Sequence, residues 1–342
     1  MPKVNVHKPG SLCWIELATS DQPSAKKFYE QLFGWTADDR PMGPDSFYTM
    51  FKLDGRDVAA ACTLRPDQLQ RGVPPHWNLY VAVANVDESA ERAGELGASV
   101  LAPPFDVFDA GRMAIIQDPT GAILSLWQAK EHSGVLVNNE EGALCWADLM
   151  TRDRDKAADF YSALLGWKIE KEDENPAHGY YHIKNGEDYI GGIPPTEHTD
   201  PNITTHWHIY FQTADCEAKT AEAKSLGASV YLPNLKMEHV GTLSVVRRSP
   251  GSGVQHFPAG REEIEDKRLQ KKPNHRVGLF SFKKLLFRPA LEHQAAVGAP
   301  KPKRIRDRIF HADLARGMRH VIQVAFRIGM IEIDGGRHDL IA

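Results

Sequence analysis

Cysteine is scarce in this chain: four in 342 residues, Cys13, Cys62, Cys145 and Cys216, with no C-x-x-C pair or other metal-type spacing among them. That excludes a disulfide framework and a cysteine-built zinc module, and points to a reduced, cytoplasmic setting. No run of about 18 apolar residues exists, so no membrane-spanning helix is expected. The opening "MPKVNVHKPGS" lacks the charged, apolar and small-residue order of a secretion signal. Also missing are a P-loop, a dinucleotide-binding glycine fingerprint and a Ser or Cys nucleophile motif. Tryptophan is absent from the last 96 residues, although the chain holds seven.

That last gap coincides with a change of charge. Residues 247–342 hold 20 Lys and Arg against 10 Asp and Glu, a balance of +10, whereas residues 1–246 carry −14. Segments such as "KRLQKK" and "KPKRIRDRIF" are basic enough to suggest nucleic acid or an acidic membrane surface. They come without a nucleic-acid-binding motif or an aromatic stacking pattern, so solvated chain is the better reading, and neither nucleic acid nor membrane is expected as a partner.

What the first 246 residues do contain is a repeat. "SLCWIELATSDQPSAKKFYEQLFGW" (11–35) returns as "ALCWADLMTRDRDKAADFYSALLGW" (143–167), with Trp14, Phe28 and Trp35 recurring 132 residues later as Trp146, Phe160 and Trp167. "PHWNLYVAVANVDESAERAGELGASV" (75–100) returns as "THWHIYFQTADCEAKTAEAKSLGASV" (205–230) at a spacing of 130. Each copy divides again. A strand with period-two alternation ("CWIEL", "WNLYVAV") leads into a helix opened by Asp21, Asp153 or Asp87 and closed by Gly34 or Gly97. Short strands follow: "SFYTMFKL" and "DVAAACTL", then "SVLAP", "RMAIIQD" and "AILSLWQ". The unit reads strand–helix–strand–strand–strand, four times. "PPHW" and "PPFDVFDAG" read as loops, and Asp118-Pro119-Thr120-Gly121 as a hairpin turn.

With its order of motifs, "CWIEL", "FYEQLFGW", "PHW" and "DPTGA", the chain resembles the vicinal oxygen chelate superfamily of glyoxalases, bleomycin-resistance proteins and extradiol dioxygenases. It is most similar to the tandem glyoxalase-like proteins grouped as hydroxylase-type. The resemblance covers about residues 10–246. It implies an α+β fold of two tandem domains (10–130 and 142–260), each of two βαβββ units curled around a cleft; composition adds an irregular basic tail over 261–342.

The resemblance also implies where a divalent ion would sit: on four His, Glu or Gln donors from the first and last strands of paired units. Carried over, these positions fall on Trp14, Ala59 to Ala61, Asn78 and Ser125 in the first copy, and on Trp146, Gly191 or Gly192, and His208 in the second. One ligand among them does not make a metal site. No metal ligand is therefore assigned and no cofactor is expected, with a divalent ion left open. Strand alternation instead groups Trp14 with Glu16, Trp146 with Asp148, His76 with Asn78 and Tyr80, and His206 with His208 and Tyr210.

Two readings follow. In the first, the chain binds an aromatic or carbonyl compound through Trp14, Asn78, Tyr80, Ser125, Trp146, His208 and Tyr210. In the second it is an enzyme, a lyase or hydroxylase/dioxygenase-like protein, with Glu16 or Asp148 as general base or with a non-standard metal site. Trp14 and Trp146 serve equally well as core residues, and His76 and His206 are read as bonding a nearby backbone carbonyl. The partner is a small molecule, and the chain a monomer or a homodimer.

One stretch breaks the repeat. At a spacing of 130, "RRSPGSGVQHFP" from Arg247 stands where the first copy has "QDPTGAILSLWQ". Back-translated with synonymous codons chosen to favour the match and read one base on, "RRSPGSGVQHFPA" gives "ADPQGAVFSIFQP", in register with the first copy. Residues from about 247 onward are accordingly expected to be an out-of-frame translation, leaving the fourth unit without its closing strand. A divergent loop with a basic extension is the alternative.

Overall fold

The computed structural model describes residues 6–43, 46–171, 179–195, 204–237, 241–248 and 276–282. The first unit runs β1 (Leu12–Thr19), α1 (Gln22–Phe33), β2 (Thr36–Gly43), β3 (Ser46–Leu53) and β4 (Arg56–Thr63). After a short helix α2 (Pro66–Gln70), the second runs β5 (His76–Ala82), α3 (Val86–Glu95), β6 (Ser99–Val107), β7 (Gly111–Gln117) and β8 (Ile123–Ala129). The second copy repeats this as β9 (Leu144–Met150), α4 (Arg154–Leu165), β10 (Lys168–Lys171), β11 (Tyr181–Asn185) and β12 (Asp188–Ile193), then β13 (His206–Gln212), α5 (Cys216–Ser225), β14 (Ala228–Met237), β15 (Gly241–Arg248) and β16 (Arg276–Phe282).

Each copy builds one eight-stranded sheet, in the orders β2-β3-β4-β1-β5-β8-β7-β6 and β10-β11-β12-β9-β13-β16-β15-β14. The two units of a copy join where their first strands pair antiparallel, β1 with β5 and β9 with β13, each flanked by a parallel strand. This is the expected α+β architecture.

Local chemistry explains the helices. Asp21 caps α1 by accepting from the Ser24 amide at 3.0 Å, and Asp153 does the same for α4 through Lys156. Gly34 and Gly166 end these helices at φ +68, where a left-handed residue lets its N–H close the last turn. The inner face of α1 (Ala25, Phe28, Tyr29, Leu32) packs on Ile15 and Leu17, the helix-facing half of β1. α3 differs from expectation: Asn85 caps it, accepting from Asp87 and Glu88 amides, and Asp87 instead sits in the first turn paired to Arg112. Glu95 is its last residue and Leu96 its C-cap, with Gly97 one position beyond.

Two loop assignments are corrected: His76 and Trp77 of "PPHW" already belong to β5. "PPFDV" is not loop but the outer half of β6, which runs through Pro103 and Pro104. β6 is an edge strand whose register shifts between Ala102 and Phe105, and both settings let a missing N–H cost no ladder bond. β2, of the polar sequence "TADDRPMG", is the other edge of the same sheet. The fourth unit also has a closing strand, contrary to expectation. β16, from the segment assigned to the tail, lies parallel to β13 and antiparallel to β15, the place β8 holds in the first sheet.

The copies are joined by reciprocal contacts. Trp35 Nε1 donates to Gly142 O at 2.9 Å, and its counterpart Trp167 donates to Gly10 O at 2.8 Å. Phe33 and Trp35 pack on Phe211 across the boundary. Tyr161 OH donates to Asp118 Oδ2 at 2.8 Å, and Trp207 Nε1 donates to Tyr161 OH at 3.1 Å. No helix among the described residues is long and apolar enough to cross a membrane.

The segment after β8 turns back over the first sheet. Val135 N donates to Cys13 O at 2.7 Å, a close approach made at Gly134, whose φ is +115. A Cβ at 134 would lie 2.1 Å from Cys13 O. Gly134→Ala is therefore expected to destabilise the chain by about 3 kcal/mol, read as a lower urea midpoint. A midpoint unchanged from the parent would show that this segment is not held against β1.

Candidate functional site

Helices cover one face of each sheet. The other face gathers a different set of side chains, because alternation along β1 sends Ile15 and Leu17 toward α1 and Trp14 and Glu16 away from it. In the first copy this face joins Trp14, Met50, Ala60, Tyr80, Met113 and Trp127 in one cluster that contains no helix residue. Trp14 is nevertheless only 3 % exposed. Sheet and returning segment together cover it: His132 meets Trp14 edge-on at 4.5 Å, and Trp127 Nε1 donates to His132 O. Burial there pushes the His132 imidazole down to about 4, so it is neutral at physiological pH.

Glu16 sits at the half-buried margin of this cluster. It accepts from Asn78 Nδ2 at 3.4 Å and from the Cys62 thiol at 3.6 Å. Burial, with the Glu16 charge adding to it, keeps the Cys62 thiol well above its ordinary value, so it is no thiolate nucleophile. Trp14 Nε1 donates to Tyr48 OH, and Ser125 lies beside Tyr80 in the register. The structure thus brings Trp14, Glu16, Asn78, Tyr80 and Ser125 together, largely packed against one another.

The second copy places the equivalent residues differently. Asp148 is 7 % exposed and accepts three hydrogen bonds: Trp146 Nε1 at 2.9 Å and Tyr180 OH at 2.5 Å on Oδ1, and Tyr210 OH at 2.9 Å on Oδ2. Burial raises its carboxyl to about 6, with the Tyr180, Tyr210 and Trp146 donors pulling the other way. Around it stand half-buried Trp146, Tyr180 and His182, and buried His208, whose ring meets Tyr210 edge-on at 4.9 Å. Trp146, Asp148, His208 and Tyr210 are therefore one constellation. His76 and His206 each direct Nδ1 at a backbone oxygen two residues back, Pro74 O and Thr204 O.

Sequence reasoning missed Tyr48 and Tyr180. Tyr48, on β3, accepts from Trp14 Nε1, and Tyr180, just before β11, donates to Asp148 Oδ1; the 132-residue spacing that relates Trp14 to Trp146 also relates this pair. His132 was missed because it lies outside the repeat.

The donor chemistry does not fit the four-ligand ion site that the fold implies. β1 offers Trp14, β4 the run Val58 to Ala61, β5 Asn78 and β8 Ser125; in the second sheet β9 offers Trp146, β12 Gly191 and Gly192, β13 His208 and β16 Gly278. Among the described residues no three His, Cys, Asp or Glu side chains converge as a ligand set.

Comparison with known proteins agrees with this architecture. Residues 11–126 match the family described as the glyoxalase/bleomycin resistance protein/dioxygenase superfamily, and residues 145–247 match the glyoxalase-like domain. The chain belongs to this superfamily, as a tandem member. Among its relatives is the "Putative glyoxylase CFP32" of Mycobacterium tuberculosis, 38% identical over 255 residues, 74% of this chain and 96% of that one. The "Anthracycline biosynthesis protein DnrV" of Streptomyces peucetius is 32% identical over 236 residues, 65% of this chain and 84% of that one. Similar solved structures include the Mn(II)-bound glyoxalase from Novosphingobium aromaticivorans (TM-score 0.53, 13% identity, covering 80% of this chain and 82% of that one). A mutant of 4-hydroxymandelate synthase from Streptomyces coelicolor is another (TM-score 0.51, 14% identity, 81% and 93%). At such identities these two share the fold.

Proposed function

We propose that the chain binds a small aromatic or carbonyl compound on the helix-free face of its second sheet, without the superfamily's four-donor ion. The observation that carries this reading is the contrast between the copies. Trp14 is packed away beneath His132, whereas Trp146, Tyr180 and His182 stay half-buried around Asp148. Flat, partly wet aromatic rims beside a few fixed polar groups are what small-molecule sites are made of. A relative named for anthracycline biosynthesis supports an aromatic ligand.

Tryptophan-fluorescence titration with planar aromatic ketones and small α-ketoaldehydes tests it. Trp146→Leu and His208→Ala are expected to weaken binding about tenfold or more, the range of a buried aromatic contact. Glu16→Gln should leave it within twofold. The reverse pattern, loss at Glu16 and none at Trp146, would move the site to the first sheet and overturn the proposal.

Asp148 favours a second reading. A carboxyl raised to about 6 suits a general base working near neutrality, once one of its three donors yields to substrate. Turnover of any such carbonyl compound, with a rate that rises through pH 6 and is lost in Asp148→Asn, would establish an enzyme. Stoichiometric Mn, Fe, Ni or Zn in the purified protein would point to a metal-dependent one.

A further inference from the structure

The reciprocal contacts between the copies come in pairs. Trp35 reaches Gly142 and Trp167 reaches Gly10; each of the two residues is displaced by the same 132 positions. The Tyr161 to Asp118 bond should have a mate by the same rule. Its tyrosine is present: Tyr29 occupies α1 as Tyr161 occupies α4, and its ring meets Trp77 at 5.5 Å and 74°, against 5.3 Å and 74° for Tyr161 on Trp207. The acceptor's place is fixed by strand register. Ser99 pairs with Gln117 in the first sheet and Ser229 with Arg247 in the second, so position 248 is the counterpart of Asp118.

Position 248 holds an arginine. Its side chain is 3 % exposed, near Tyr29 and Asp21, with Nη2 donating to Asp21 O at 3.4 Å. Burial drives the guanidinium below its ordinary value. Asp118, by contrast, accepts Tyr161 OH on one oxygen and Thr120 N, Thr120 Oγ1 and Ala122 N on the other, tying the latch to the hairpin that closes its own sheet. That hairpin differs between copies. Gln117 and Ile123 pair across five intervening residues, whereas the corresponding Arg247 and Arg276 pair across residues 248 through 275. A hairpin loop is ordinarily 2–5 residues, roughly what the first copy has. At the far end, a Cβ on Gly278, the residue facing Tyr210 as Ser125 faces Tyr80, would lie 1.7 Å from the Tyr210 ring.

We propose that an aspartate belongs at 248, where it completes a second Tyr–Asp latch with Tyr29, and that a one-base change of reading frame at codon 247 has replaced it. The shifted reading "ADPQGAVFSIFQP" puts aspartate at 248 itself, follows it with the Pro-x-Gly-Ala of the first hairpin, and sets serine opposite Tyr210. At codon 248 the shifted frame admits Asp, Glu, Ala, Gly or Val, so codon degeneracy permits aspartate there and the symmetry with the Tyr161–Asp118 bond selects it.

Two measurements test this. The nucleotide sequence across codons 240–265, read from independent clones of the source DNA, should contain a one-base shift that restores Asp-Pro-x-Gly-Ala; an unshifted frame in every clone overturns the proposal. In the full chain as it stands, Arg248→Asp should raise Tm by about 3 °C or more, the shift expected of one buried hydrogen bond in a domain pair of this size. The gain should vanish in a Tyr29→Phe background. Arg248→Leu separates latch from charge: if it raises Tm as much as Arg248→Asp, removal of a buried cation suffices and the latch is overturned.

Discussion

Asp148→Asn is expected to gain about 2 kcal/mol of stability on the parent chain between pH 4 and pH 7. The native Asp148 carboxyl titrates at about 6 against an ordinary 3.8, because burial disfavours its charge more than its three donors favour it. The folded state thus holds this proton more tightly than the unfolded state. Its contribution to stability is fully present below 3.8 and is lost as pH rises toward 6, after which both states are ionised. Asparagine does not titrate, so the variant escapes that loss. The amide also replaces one acceptor oxygen by a donor, which costs the Trp146–Tyr180–Tyr210 cluster a bond at every pH, so only the change with pH is diagnostic. Urea melts at pH 4, 5, 6 and 7 provide the comparison. Parallel curves for the two proteins would mean that the Asp148 carboxyl titrates alike in the folded and unfolded chain.

The second large effect is expected at Asp118. Its carboxylate is 4 % exposed and accepts four bonds, three holding the turn before β8 and one from Tyr161 on the other copy. Asp118→Ala leaves two amides, a hydroxyl and the Tyr161 phenol without their acceptor, and should cost about 4 kcal/mol. Tyr161→Phe removes the inter-copy bond and also takes the acceptor from Trp207 Nε1, and should cost about 2 kcal/mol. The difference between the two variants measures the share of the turn. Equal losses, both about 2 kcal/mol, would show that Thr120 and Ala122 find other acceptors and that the turn does not depend on this side chain.

How much of this could be read from the chain depended on repetition. The spacings of 132 and 130 located β1, β5, β9 and β13 and the helices between them, and alternation within those strands set Trp14 and Glu16, Trp146 and Asp148 on one face. β2 was passed over because "TADDRPMG" is an edge strand with little to bury, and so carries no apolar alternation. The prolines of β6 misled for the same reason: an edge has no partner for the missing N–H. Tyr48 and Tyr180 were within reach of the repeat, but a tyrosine two strands away announces itself only when the sheet is assembled. β16 was beyond any local reading, since its pairing with β13 joins Tyr210 to Gly278 across unrelated sequence. What no pattern conveyed was asymmetry: the same tryptophan is packed in one copy and half-open in the other.

The segment lying over the first sheet has a practical consequence. By occupying the hollow with His132 and pinning itself to Cys13 through Val135, it turns one half of a duplicated molecule into a fixed wall. If the proposed site is the one, an engineer retargeting it would randomise around Trp146 and His182, and would treat Trp14 and its neighbours as foundations to be left alone.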